Sequence, residues 1–120
     1  MSLYEKSIAE DRKAWRDEQL ERCMLNALTH YGPLEIHEIA KRSFAPKKWW
    51  SRLNCLLVCQ SCHREIEDNR AAWPLARQLA RKAVRDPTNF DLRAWLELYY
   101  PNAPQRVTWA EVAAFLEVRG

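Results

Sequence analysis

Two of the chain's three histidines share the stretch from residue 37 to residue 63 with an asparagine and a Cys-x-x-Cys pair, and this concentration of ligand-type side chains constrains the fold most. The stretch opens in Glu35-Ile36-His37-Glu38-Ile39 and closes in Asn54-Cys55-Leu56-Leu57-Val58-Cys59-Gln60-Ser61-Cys62-His63. Residues 34–39 alternate as a short strand does, and residues 55–58 form a second short apolar run. A basic, Trp-containing connection over residues 40–53 separates them, and residues 61–69 suit a helix. Strand, loop, strand and helix therefore follow one another, a ββα order with one small hairpin.

The flanking segments read as helices. Ser7 followed by Glu10 has the capping-box spacing, and Leu20, Cys23, Met24, Ala27 and Leu28 recur at helical intervals, which predicts a first helix ending near Thr29 before Tyr31-Gly32-Pro33. Pro74 opens a helix that runs to Asp86-Pro87, with Leu75, Leu79 and Ala83 on one face and Arg77, Arg81 and Arg85 on another. A helix over residues 90–99 buries Leu92, Trp95 and Leu96. The last helix starts at the capping box Thr108 to Glu111 and faces Trp109, Val112, Ala113 and Leu116 inward. Trp15, Trp73 and Trp95 also read as core. The expectation is one mainly α domain over residues 1–120, divided into an N-terminal helix (1–30), the ββα core (34–69) and C-terminal helices (73–120).

Charge is unevenly distributed. Residues 37–93 carry twelve Lys and Arg against six Asp and Glu, whereas both flanks are slightly acidic. Positive charge centred on the candidate site favours a polyanionic partner such as nucleic acid. No basic stretch followed by an apolar run marks the amino terminus, and no segment approaches the ~18 apolar residues of a membrane span. An intracellular, cytoplasmic protein with reduced cysteines is expected, and four cysteines in that setting point to metal ligands or buried thiols.

The order, spacing and residue types of residues 23–67 resemble the HNH, or ββα-metal, endonuclease superfamily, in which a strand bearing (D/H)H precedes N-L-x-x-L-C-x-x-C-H. The chain is similar in particular to small HNH proteins of phages and prophages, in which case the host cytoplasm is its setting. The resemblance implies a ββα-metal core wrapped by extra helices and hydrolysis of phosphodiester bonds in double-stranded DNA. It makes His37 and His63 ligands of one divalent cation (Mg²⁺, Mn²⁺, Ni²⁺ or Zn²⁺), puts Glu38 in the position of the general base and makes Asn54 the residue that fixes that base through a hydrogen bond. Glu67, one helical turn beyond His63, is the third metal ligand or else a solvated helix residue. A homodimer or other DNA-processing proteins are the expected partners for cutting both strands.

The chain departs from that pattern twice. Glu38 stands where the family usually has histidine, and in model peptides glutamate titrates about two units lower than histidine, a poorer match to neutral pH. The upstream Cys-x-x-Cys that completes a structural zinc site in many HNH proteins is here Cys23-Met24-Leu25-Asn26, so Cys23, Cys59 and Cys62 supply three thiolates, and His30 is available as a fourth ligand. For DNA contact the sequence offers Lys47, Lys48, Trp49, Trp50 and Arg52 in the long loop and the stripe Arg77, Arg81 and Arg85. The same Trp residues can instead anchor the loop, and the same stripe can be a solvated helix face. Two other functions stay open: a catalytically silent nucleic-acid binder, and a structural zinc-binding interaction module.

Overall fold

The computed structural model describes residues 2–116. It is mainly helical with a two-stranded antiparallel sheet: α1 (Leu3–Glu18), β1 (Leu34–Glu38), β2 (Cys55–Cys59), α2 (Gln60–Asp68), α3 (Leu75–Arg85), α4 (Leu92–Tyr99) and α5 (Trp109–Leu116), with single 3-10 turns at Arg52–Asn54 and Pro87–Asn89. Among the described residues no helix is long and apolar enough to cross a membrane. The last four residues of the expected C-terminal helical segment, like Met1, lie outside the described residues.

Every residue of β2 is buried, and the strand pairs with β1 in the register Leu34↔Cys59, Ile36↔Leu57, His37↔Leu56 and Glu38↔Cys55. Its apolar run therefore acts as the axis of the core rather than as a half-exposed hairpin arm. α2 and α3 pack on it, and Trp15, Trp73 and Trp95 fill the surrounding space as expected. Cys55 is buried at the start of the strand, and burial pushes its thiol up to about 12.

Several boundaries agree with the sequence. α3 follows Pro74, whose fixed φ suits a helix start, and α5 is capped by the reciprocal bonds Thr108 N–H to Glu111 Oε1 (3.1 Å) and Glu111 N–H to Thr108 Oγ1 (3.2 Å).

The N-terminal region differs. α1 is capped by Ser2, whose Oγ accepts from Glu5 N–H at 3.1 Å, not by Ser7, and it stops at Glu18 instead of near Thr29. Residues 19–33 form no regular element. Met24 and Leu25 are buried side by side while Leu20 and Leu28 point to solvent, a pattern no helix face produces, and Met24 N–H donates to Leu57 O of β2 at 2.8 Å. Tertiary docking against β2 thus overrides the helical spacing of the apolar residues. Trp109 is a second correction: it is 55% exposed. It occupies the first turn of a short helix whose buried residue is Val112, and it rests at the edge of Phe90, with ring centroids 6.3 Å apart.

Candidate metal centres

α2 begins one residue after β2 ends, so its first turn lies against β1. That brings His63 to His37, with ring centroids 5.2 Å apart and planes nearly perpendicular, and Glu67 follows one turn later on the same side. His37, His63 and Glu67 each offer a ligand atom within 4.8 Å of the others. Together with Glu38, Lys41, Arg42 and Ser43 they line an open depression of about 250 Å³. The structure therefore brings together the three expected ligands and the residue in the base position.

The hydrogen bonds around this cluster define its donor atoms. His37 is buried, and burial lowers its pKa, so the ring is neutral. Its Nε2 lies 2.7 Å from Gln78 Oε1. The Gln78 amide nitrogen donates to Trp73 O at 2.9 Å, which turns Oε1 toward the histidine. A carboxamide oxygen only accepts, so Nε2 carries the proton and Nδ1 the lone pair. His63 Nδ1 is 3.0 Å from Glu35 Oε1, which commits that nitrogen as donor and leaves Nε2 for a metal. Lys41 (2.8 Å) and Arg70 (2.7 Å) both hold Glu67 Oε2, while Oε1 lies 3.9 Å from His37 Nδ1. Glu35, Gln78, Lys41 and Arg70 are thus parts of the site that the sequence pattern did not single out. Glu35 stands two residues before His37 on the same face of β1 and was legible in principle. Gln78 lies on another helix and was not.

Glu38 is largely enclosed and ion-paired with Arg42, whose guanidinium lies 3.8 Å from the centre of the Trp49 ring. Asn54 has a different job from the one expected. Fully buried, its Oδ1 accepts from Ala40 N–H (2.7 Å) and Trp95 Nε1–H (2.9 Å), and its Nδ2 donates to Ala40 O and Trp49 O (both 2.9 Å). All four of its bonding positions are thereby used, and none reaches the Glu38 side chain. Asn54 instead pins the backbone at Ala40, two residues beyond Glu38.

A second cluster forms where the irregular segment crosses the start of α2. Cys23, His30, Cys59 and Cys62 offer ligand atoms within 4.8 Å of one another, a group able to hold a metal ion such as zinc. His30 Nδ1 is 3.3 Å from Cys62 Sγ and 3.7 Å from Cys59 Sγ. Tetrahedral zinc with bonds of about 2.3 Å to sulfur needs thiolates roughly 3.8 Å apart, so the spacing fits with little adjustment. The loss of α-helix beyond Glu18 makes this set possible: seven residues of helix would separate positions 23 and 30 by about 10 Å along its axis. Burial opposes ionisation of Cys59, but bonds from the Ser61 hydroxyl, from Cys62 and from His30 outweigh it and bring the thiol down to about 6. Burial and the neighbouring Cys59 and Cys23 push the Cys62 thiol up.

The residues expected to meet DNA divide into two groups. Lys47 and Lys48 are exposed, and Trp49 lies between Arg42 and Arg12. Trp50 instead anchors the loop, donating to Asp11 Oδ2 at 2.9 Å and meeting Trp15 edge-on, and Arg52 pairs with Asp11 and Glu18. Arg77 covers the Trp73 ring at 3.5 Å and donates to Ala72 O, and Arg81 donates to Met24 O at 2.8 Å. Arg85 lines a cleft beside Cys23 and His30. The arginine stripe therefore runs along the cysteine cluster, and Lys41, Arg42 and Arg70 are the cations beside the histidine depression. No protein-family model, curated protein or solved structure matches the chain significantly, so function rests on these two sites.

Proposed function

We propose that the chain is a metal-dependent endonuclease of the HNH type that hydrolyses phosphodiester bonds in DNA, with β1, β2 and α2 as its ββα-metal core. The observation that carries this reading is the convergence of His37, His63 and Glu67 in a depression that also contains a carboxylate, Glu38, and the cations Lys41 and Arg42. Imidazole and carboxylate donors suit Mn²⁺, Ni²⁺ or Zn²⁺, and Mg²⁺ less well. His37 Nδ1, His63 Nε2 and Glu67 Oε1 would hold one such ion, which when bound polarises the scissile phosphate and stabilises charge on the leaving oxygen.

The chain's own groups supply the rest. Lys41 and Arg42 neutralise phosphate oxygens at the mouth of the depression, and Glu38 accepts the proton of the attacking water. Asn54 and Trp95 keep the backbone beyond Glu38 in place, so that the carboxylate stays beside the histidines. The cysteine cluster plays a structural part in the same reading. A zinc ion on Cys23, His30, Cys59 and Cys62 would join the irregular segment to the first turn of α2 and so hold His63, the residue after Cys62, in register with His37.

A second reading, a domain that binds DNA without cutting it, is favoured by the ion pair between Glu38 and Arg42, which occupies the base. Plasmid nicking by the zinc-loaded chain, across Mg²⁺, Mn²⁺ and Ni²⁺ and across pH, separates the two. Nicking that His63→Ala abolishes supports the nuclease. Equal inertness of both proteins with retained DNA binding makes the chain a binder, and loss of DNA affinity at moderate salt as well leaves a zinc-dependent interaction module.

A further inference from the structure

We propose that Gln78 is the positioning residue of the histidine centre: it holds His37 in the tautomer and rotamer that aim the Nδ1 lone pair at the ion shared with His63 and Glu67. The inference rests on the metal-site reading above and adds a residue from outside the ββα segment, 41 positions along the chain from the histidine it serves.

Gln78 lies at an inward position of α3, beside the buried Leu79, and is itself buried. An unpaired carboxamide there is destabilising, so an apolar residue is the simpler choice for packing alone. Both ends of this carboxamide are in use. The nitrogen donates to Trp73 O at 2.9 Å, in the turn that opens α3, and the oxygen meets His37 Nε2 at 2.7 Å. Because the Trp73 carbonyl can only accept, a flipped amide would lose that bond and set oxygen against oxygen, so the orientation is fixed from the Trp73 side and dictates which histidine nitrogen carries hydrogen.

His63 is held in the opposite tautomer, with Nδ1 protonated and Nε2 free, by Glu35, a carboxylate. The two ligands thus have unlike supports, one neutral and enclosed, the other charged and partly exposed. A neutral acceptor fixes the His37 ring without adding a negative charge at the buried side of the centre, where desolvation would penalise it. It also ties the metal centre to α3, so the C-terminal half of the chain helps shape a site whose ligands all come from residues 37–67.

The test uses the ¹⁵N-labelled, zinc-loaded protein. Long-range proton–nitrogen correlation through the imidazole carbons reads the His37 tautomer before any catalytic ion is added, and titration followed by Mn²⁺ electron paramagnetic resonance reads affinity. The expected result is a protonated Nε2 in the wild type, loss of that fixed tautomer in Gln78→Leu, Mn²⁺ binding weakened about 10- to 100-fold in that variant, and only partial recovery in Gln78→Glu, which restores an acceptor for Nε2 but adds a buried charge and loses the donor to Trp73 O. A wild-type His37 protonated on Nδ1 overturns the proposal without recourse to any variant, as does a folded Gln78→Leu that binds Mn²⁺ as tightly as wild type. A wild-type chain that shows the Nε2-protonated ring yet binds no Mn²⁺ overturns the metal-site reading and, with it, this role.

Discussion

Asn54 satisfies two donors and two acceptors inside the protein, and removing it leaves Trp95 Nε1–H, Ala40 N–H and two carbonyls without partners. Each orphaned buried group costs about 1–3 kcal/mol, so Asn54→Leu is expected to lower the unfolding free energy by roughly 3 kcal/mol or more, measured by urea denaturation. Glu38→Gln tests a different property. It should leave the urea midpoint close to wild type, because the isosteric amide still offers the Arg42 guanidinium an acceptor oxygen, while reducing metal-dependent nicking by about 10²- to 10⁴-fold, the range for loss of a general base. At this scale the candidate ligands were legible, because His37, His63, Cys23, Cys59 and Cys62 stand at motif spacings in the chain and come within ligand distance of one another in two clusters. Their supports were less so. Gln78 acts across a helix packing that no local pattern encodes, and the true partners of Asn54 depend on where the long loop folds back.

At the scale of elements, α3 is fastened to α1 by one buried knot. Lys82 Nζ, fully enclosed, bonds Asp86 Oδ2 at 2.6 Å and lies 4.9 Å from the centre of the Trp15 ring, and Trp15 Nε1–H donates to the same carboxylate at 2.8 Å. Asp86→Ala strands the ammonium in the core and should cost about 3–5 kcal/mol, detectable as a lowered midpoint in thermal unfolding. Burial alone would raise the Asp86 pKa, but the bonds from Lys82 and Trp15 outweigh it, and the folded group titrates below its ordinary 3.8. A depressed carboxyl contributes stability that is complete above the unfolded value and is lost as pH falls through the folded one. Unfolding free energy should therefore drop steeply in that acid range for the wild type and less steeply for Asp86→Asn. The element boundaries divide by the kind of signal: a capping box or a proline marks the starts of α5 and α3, whereas apolar spacing alone carries the expected first helix past Glu18, where α1 ends. Residues 19–33 carry helical periodicity by coincidence, and docking on β2 with convergence of Cys23 and His30 determines their path.

For the whole molecule, the ββα segment is the meeting place of two ligand clusters with different chemistry. The sulfur-rich set is closed, with four protein ligands, while the histidine–carboxylate set offers three ligands and faces an open depression. Zinc suits the first as a structural ion, and the second leaves room for water and phosphate. Structural zinc is often worth as much as a small domain's entire folding free energy. Chelation of zinc is thus expected to lower the thermal midpoint by roughly 10 °C or more, each kcal/mol being about 4–8 °C in a domain near this size. Amide exchange should accelerate first in residues 19–33 and at the start of α2, which the cluster joins. The sequence disclosed the ingredients of both clusters, His30 included as an available fourth ligand of the sulfur-rich set, but a helix running to Thr29 would have kept Cys23 and His30 apart, and they meet only because α1 ends at Glu18.

The division of labour between the clusters is the central claim, and anomalous diffraction from crystals of the zinc-loaded protein soaked in Mn²⁺ tests it most directly. Data collected on either side of the zinc edge are expected to place zinc among Cys23, His30, Cys59 and Cys62, and the manganese signal among His37, His63 and Glu67. A map with zinc at the cysteines and no ion at the histidines, under conditions that saturate other imidazole–carboxylate sites, would contradict the catalytic centre.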